Sequence, residues 1–359
     1  MSIRPAPTLR AAAHSDLMDD MVWGTVDAHT HFFPSALPDL AATTGDARWP
    51  SLKIDDHGTA RIMRGDSVFR PVAPACWDPT RRVTAMDSAG IDLQVLSPVP
   101  ITLTTWAEPK LAADFARRQN ELLAEAAAAA PERFRWIGSV PLQDTDAAIA
   151  ELDRATSELG MAGVEIGTEV DGRELDDASL RPFFAAAEAL DVAVFIHPTD
   201  GAGAIRRQGQ PFEFGLGMLT DTAMAAGALV FGGVLEQFPN LRVGLAHGCG
   251  SFPWAYPRLV RGAAMGPTTP LDTGPTDELV RRLWVDSLVF DPALFPVLMD
   301  RFGADHIFLG SDFPFYPPTW GGPCDVIDGA VRRGLATRDE GEAMKSANGL
   351  RFLGLGLAP

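Results

Sequence analysis

Two histidines stand one residue apart at the close of a short apolar run, in Val26-Asp27-Ala28-His29-Thr30-His31-Phe32-Phe33-Pro34. Side chains alternate between the faces of an extended strand, so His29 and His31 would point the same way. Two neutral imidazoles on one face can hold a single divalent metal. Three more polar residues close apolar runs in the same manner. They are His197 in Phe195-Ile196-His197-Pro198, His247 in Leu245-Ala246-His247-Gly248, and Asp312 in Leu309-Gly310-Ser311-Asp312-Phe313-Pro314. If the fold brings these run ends to one place, three nitrogens (His29, His31, His197) and the Asp312 oxygen form a ligand set suited to zinc, with room for a water. His247 is surplus to that set and would stand beside it as acid or base.

Such convergence needs a particular kind of scaffold. Eight short apolar runs alternate with helical patterns along the chain, at 22–29, 92–98, 135–142, 163–168, 192–198, 242–248, 283–289 and 306–312. They are apolar on both faces, as parallel strands buried on both sides must be. Helical stretches fall between them at 109–130, 144–159, 179–190, 219–237 and 292–302, several opening on a capping residue such as Asp144, Thr145 or Ser179. Eight strand–helix units predict an α/β fold, a (β/α)8 TIM barrel, in which the C-terminal ends of all strands meet at one mouth. An open doubly wound sheet would place a glycine-rich phosphate turn after the first strand, where this chain has His-Thr-His.

The chain reads as residues 1–21, an arm, followed by one barrel domain over 22–359. Residues 32–78 hold no long helix; 53–63 reads as a hairpin turning at Asp56-His57-Gly58, a small flap over the mouth. A second insertion, 200–217, is rich in glycine and polar residues and follows the fifth strand.

Bulk properties narrow the partners. The 359 residues are 46% hydrophobic and carry a formal net charge of −17, which opposes nucleic-acid and anionic-membrane roles. Cys76, Cys249 and Cys324 are odd in number and far apart, which predicts free thiols and a cytoplasmic setting. No apolar run reads as long enough to span a bilayer, and the first 21 residues lack the apolar core of a signal peptide.

With these residues in view, the chain resembles the amidohydrolase superfamily and, more narrowly, the aminocarboxymuconate-semialdehyde decarboxylase family. The matching stretches run from Val26 almost to the C-terminus. They include Asp27-Ala28-His29-Thr30-His31-Phe32-Phe33-Pro34, Phe69-Arg70-Pro71-Val72, Trp77-Asp78-Pro79, Val164-Glu165-Ile166-Gly167-Thr168 and Leu309-Gly310-Ser311-Asp312-Phe313-Pro314-Phe315. The resemblance implies one zinc per chain on His29, His31, His197 and Asp312, with His247 and Asp312 as catalytic residues. It places Arg70 on the carboxylate of a small carboxylic-acid substrate. It also matches Arg258 to an arginine that reaches into a neighbouring subunit's site, which implies a homodimer. Two-metal members carry a bridging lysine at the end of the fourth strand; here that strand reads Val164-Glu165-Ile166-Gly167, which implies a single metal provided Glu165 stands aside.

Three features depart from the family pattern: Thr199 replaces a tryptophan, Cys249 replaces a glycine, and the loop 201–215 differs. They bear on the substrate rather than the metal. The expected activity is a nonoxidative decarboxylase of a small unsaturated or aromatic carboxylic acid. A hydrolase or hydratase of a lactone, amide or unsaturated diacid would use the same centre, and a non-catalytic ligand-binding barrel is the third reading.

Overall fold

The computed structural model describes residues 24–199, 201–265, 276–315 and 321–355. The expected arm at 1–21 lies outside them. Thirteen strands are present among the described residues: β1 (Val26–Phe32), β2 (Pro50–Ile54), β3 (Ala60–Arg64), β4 (Ser67–Val72), β5 (Leu93–Pro98), β6 (Phe134–Gly138), β7 (Gly163–Ile166), β8 (Glu169–Val170), β9 (Arg173–Glu174), β10 (Ala193–Ile196), β11 (Val243–Leu245), β12 (Leu283–Asp286) and β13 (Ile307–Phe308).

Eight of them form one parallel sheet in the order β1-β5-β6-β7-β10-β11-β12-β13. The sheet closes on itself where Ala28 N–H donates to Leu309 O (2.9 Å) and His31 N–H donates to Phe313 O (2.7 Å). This is the predicted TIM barrel. Its interior is filled by one inward-facing set drawn from around the ring, including Ala28, Val95, Ile137, Phe195, Ala246 and Phe308. Phe352, from the C-terminal helix Ala347–Phe352, seals that set by stacking on Phe308 at 5.1 Å.

Strand ends differ from the sequence reading in an instructive way. β1 runs three residues beyond its expected end, so His29 lies within it rather than at its close, and His31 inside it rather than past it. β13 keeps only two residues, because Leu309 N–H turns away to Met344 O and Ser311 and Asp312 N–H turn to His29 O. Asp144 caps its helix as expected, accepting from Ala147 N, but the cap expected at Ser179 is supplied by Asp177, which accepts from Ser179 N. The stretch 219–237 is two helices, Met218–Phe231 and Val234–Gln237, parted at Gly233 with φ 79°.

The flap is larger than a hairpin. β2, β3 and β4 make a three-stranded antiparallel sheet, with Ile54 opposite Ala60 and Ile62 opposite Arg70. Its inner face (Ala60, Ile62, Val72) packs on Phe33, Cys76, Val99 and Ile101 beside the barrel mouth. A third strand was not legible because Ser67–Val72 has no clean alternation: its burial reads exposed, exposed, half, half, exposed, buried.

One expectation is corrected. The helical run Glu213–Phe231 is long and apolar enough to cross a membrane by length and composition alone. In the fold it connects β10 to β11, and Thr222, Ala225, Ala226, Leu229 and Val230 are buried. One face of it packs into the barrel, while Leu216 (56% exposed) and Met224 (55% exposed) lie on its outer side.

Candidate metal centre

β1 presents His29 and His31 on one face, both fully buried. His197 follows β10 directly, and Asp312 sits four residues past β13 in a left-handed backbone, φ 56°. Close approach of the chain segments is required. A Cβ at Gly310 would lie 2.7 Å from the Cβ atoms of both His29 and Asp286, so the chain leaving β13 can pass there only with glycine. The result is that one ligand atom from each of His29, His31, His197 and Asp312 lies within 4.8 Å of the others. No other such grouping of three or more occurs among the described residues.

The hydrogen bonds decide what these atoms can do. His31 Nδ1–H donates to Pro98 O and His197 Nδ1–H donates to Pro198 O, each at 2.7 Å. A carbonyl only accepts, so the proton is on Nδ1 and, in the neutral ring, Nε2 bears a lone pair. His29 Nδ1–H donates to Asp286 Oδ2 at 2.7 Å. The ε nitrogens of His29 and His31 then face each other at 3.2 Å, Asp312 Oδ1 lies 2.9 Å from His31 Nε2, and the buried His197 Nε2 has no hydrogen-bond partner. The lone pairs of His31 and His197, that of His29 once it gives up a proton, and an anionic oxygen converge in a buried space and call for a cation. The donors, three nitrogens and one oxygen, fit a divalent metal of the zinc type.

Electrostatics agree. Burial holds His31 and His197 below the usual histidine range, which keeps both neutral, and the charges of neighbouring histidines push His197 further down. Burial would lower His29 as well, but the hydrogen bond and charge of Asp286 more than offset it and raise it to about 9. A bound ion would therefore displace a proton from His29. Burial would raise Asp312, yet its pairing with His31 and the nearby His29 keeps it below the ordinary carboxylate range.

His247 stands beside this group, its ring centroid 4.9 Å from that of His197 and 5.7 Å from that of His29. It is not one of the four, its Nδ1 has no hydrogen-bond partner, and burial holds it below its ordinary pKa. Above the floor, a pocket is lined by His31, His197, His247 and Asp312 below and by Arg70, Phe69, Ile101, Phe214 and Phe315 around the sides. Arg70, carried on β4, lies over the Phe315 ring at 4.9 Å. Arg258 is elsewhere: it is exposed on the helix Phe252–Ala263 and does not line this pocket. Thr199 lines it; Cys249, fully buried, stands outside both pocket and ligand set.

One carboxylate escaped the sequence reading, and a second, Glu165, is named there only as a residue that must stand aside. Asp286 ends β12, but the sequence run 283–289 places it mid-strand, so the strand-end rule that selected Asp312 passes over it. Glu165 lies fully buried on β7, outside the four-residue ligand set, with neither oxygen hydrogen-bonded. Burial pushes its pKa up to about 8.

The amidohydrolase family model matches residues 26–355. The chain belongs to the amidohydrolase family. Within it, this amidohydrolase is 36% identical over 332 residues to the 2-amino-3-carboxymuconate-6-semialdehyde decarboxylase of Dictyostelium discoideum, covering 92% of this chain and 91% of that protein. It is 28% identical over 310 residues to the gamma-resorcylate decarboxylase of Rhodococcus jostii, covering 81% and 88%. The crystal structure of a dihydroxybenzoic acid decarboxylase from Polaromonas, with bound manganese and the inhibitor 2-nitroresorcinol, superposes with a TM-score of 0.69 at 23% identity, over 94% of this chain and 98% of that one. This amidohydrolase is accordingly an enzyme of the carboxy-lyase branch, related to the aminocarboxymuconate-semialdehyde decarboxylases.

Proposed function

We propose that the protein is a zinc-dependent nonoxidative decarboxylase of a small unsaturated or aromatic carboxylic acid. The observation that carries this is the pairing of the four-ligand floor with Arg70, the one Lys or Arg lining the pocket among the described residues, set among aromatic and aliphatic walls. Zinc, when bound by His29, His31, His197 and Asp312, would supply a Lewis acid for an oxygen of the substrate.

The remaining work falls to the chain's own side chains. Arg70 pairs with the carboxylate in the fork geometry that guanidinium favours, which a chain of net charge −17 must provide locally. Phe69, Ile101, Phe214 and Phe315 hold the flat carbon framework and keep water from it. His247 transfers the proton. The carbon–carbon bond to the carboxylate breaks, CO₂ leaves, and the electron pair left on carbon takes up a proton, so no oxidant or reductant is consumed.

A homodimer completes the reading. Arg258 is flanked on its helix by Trp254 (84% exposed) and Leu259 (38% exposed), an apolar surface suited to a second copy of the chain. On that arrangement Arg258 would serve the neighbour's pocket. The free thiols of Cys76, Cys249 and Cys324 support a cytoplasmic setting.

The test is a panel of aromatic and enal carboxylic acids offered to zinc-loaded protein without nicotinamide or pyridoxal. Release of CO₂ in step with loss of the acid is expected. Hydrolysed or hydrated products without CO₂ would replace this reading with the hydrolase one. A metal-loaded protein inert to the whole panel, and to lactones and amides, would make it a binding barrel.

A further inference from the structure

Asp286 is fully buried and spends both oxygens on four N–H donors. Oδ2 accepts from His29 Nδ1 (2.7 Å) and from the backbone N–H of His247 (2.8 Å). Oδ1 accepts from the backbone N–H of Gly248 (2.9 Å) and of Leu288 (3.0 Å). One carboxylate thus joins the ring of a metal-site histidine to the peptide that carries the acid–base histidine, from a strand that contributes neither.

The peptide it grips is strained. His247, Gly248, Cys249 and Gly250 have φ of 58°, 60°, 66° and 58°, a run of left-handed backbone in which two members are not glycine. Such a conformation persists only where its surroundings over-determine it. Successive N–H groups in a turn of this kind converge on an anion, and here the anion is Asp286.

We infer that Asp286 is a positioning residue with two tasks: it fixes the His29 tautomer that binds metal, and it pins the His247 turn against its strain. The inference rests on the metal reading above.

The chemistry of an amide separates these tasks from general packing. Asn at 286 would keep the shape but offer one oxygen to four donors. With that oxygen toward Gly248 and Leu288, its NH₂ faces His29 Nδ1 and the His247 N–H. His29 would then accept on Nδ1 and carry its proton on Nε2, where the metal lone pair must be.

The probe is Co²⁺ added to metal-free protein, read by its visible d–d bands and by titration, with backbone hydrogen exchange across 246–250 measured at saturating Co²⁺. For Asp286→Asn we expect a 10- to 100-fold rise in the Co²⁺ dissociation constant, altered d–d bands, and exchange at 247 and 248 at least 10-fold faster, with the outer helices unchanged. Asp286→Glu keeps the charge and should recover most of the affinity, and it serves as the test variant if Asn does not fold. Wild-type affinity and bands in Asp286→Asn, or wild-type exchange at 247–248, would overturn the inference. So would faster exchange spread evenly over the barrel. A wild-type protein that binds neither Co²⁺ nor Zn²⁺ would instead sink the metal reading itself.

Discussion

The floor and the walls of the pocket are built by opposite strategies. His29, His31, His197 and Asp312 are all at least nine-tenths buried, and the three rings among them each spend Nδ1 on a fixed acceptor in the barrel. Of the walls, Phe69, Arg70 and Phe214 come from the two insertions, while Ile101 and Phe315 follow barrel strands. Arg70 is half-buried on the outermost strand of the flap and is held mainly by lying over Phe315; Phe214 rides on the segment after β10. A metal centre tolerates no slack in its ligands, so its residues sit where the ladder ends and every ring is tied. Substrate shape is set by loops because loops can change without disturbing the ladder.

That contrast can be tested from its strongest side first. Asp312→Ala removes the only anion from the ligand set and should reduce bound divalent metal from about one per chain to below about a tenth after dialysis. Elemental analysis checks it; full retention would mean that Asp312 is not a ligand.

His247→Ala touches the floor without touching the ligand set. It should keep its metal and lose about 10²- to 10⁴-fold in turnover. Loss of the metal in this variant would make His247 a ligand.

The walls should yield a smaller effect. Arg70→Ala and Arg258→Ala should each cost about 2–5 kcal/mol in kcat/KM at unchanged metal content, since on the proposed reading each removes one partner of a charge-assisted pair. Mixing the two variants sharpens this further. If Arg258 serves its neighbour, a mixed dimer has one site with both defects and one intact site, and activity partly returns. No recovery after verified subunit exchange would return Arg258 to the surface.

The last test leaves activity aside and concerns the stability effect of Glu165, buried on β7 and outside the ligand set. Its pKa is raised from 4.5 to about 8, so the folded state holds a proton that the unfolded chain releases above pH 4.5. Its contribution is full below pH 4.5 and is lost as pH rises through 8. Glu165→Gln cannot ionise. Its stability relative to the parent should grow with pH across 4.5–8, by at most about 1.4 kcal/mol per unit, and level off above 8. Paired denaturant melts at pH 5 and 8 check this; a constant difference would mean that Glu165 ionises normally in the folded chain.

Much of this site was legible before folding was considered. His29 and His31 follow from strand alternation, and His197, His247 and Asp312 from polar residues closing apolar runs, because a barrel sends every strand end to one mouth. The flap was half legible: Asp56-His57-Gly58 announces a turn, whereas Ser67–Val72 pairs on an edge with mixed exposure and leaves no periodic mark.

The sequence by itself thus determined the residue types, the eight-fold strand count and the order of the ligands, because period-two patterns and turn chemistry are local. Tertiary structure alone decided three things. Through the curvature of the closed sheet it set the distances that gather the four expected ligand groups and leave His247 beside them. It recruited Asp286, 257 positions from His29 along the chain, to hold that ring. And it put Arg70 in the pocket while leaving Arg258 outside, since the flap folds back over the mouth and the helix Phe252–Ala263 faces away. These are long-range outcomes of packing, and no spacing along a chain encodes them directly.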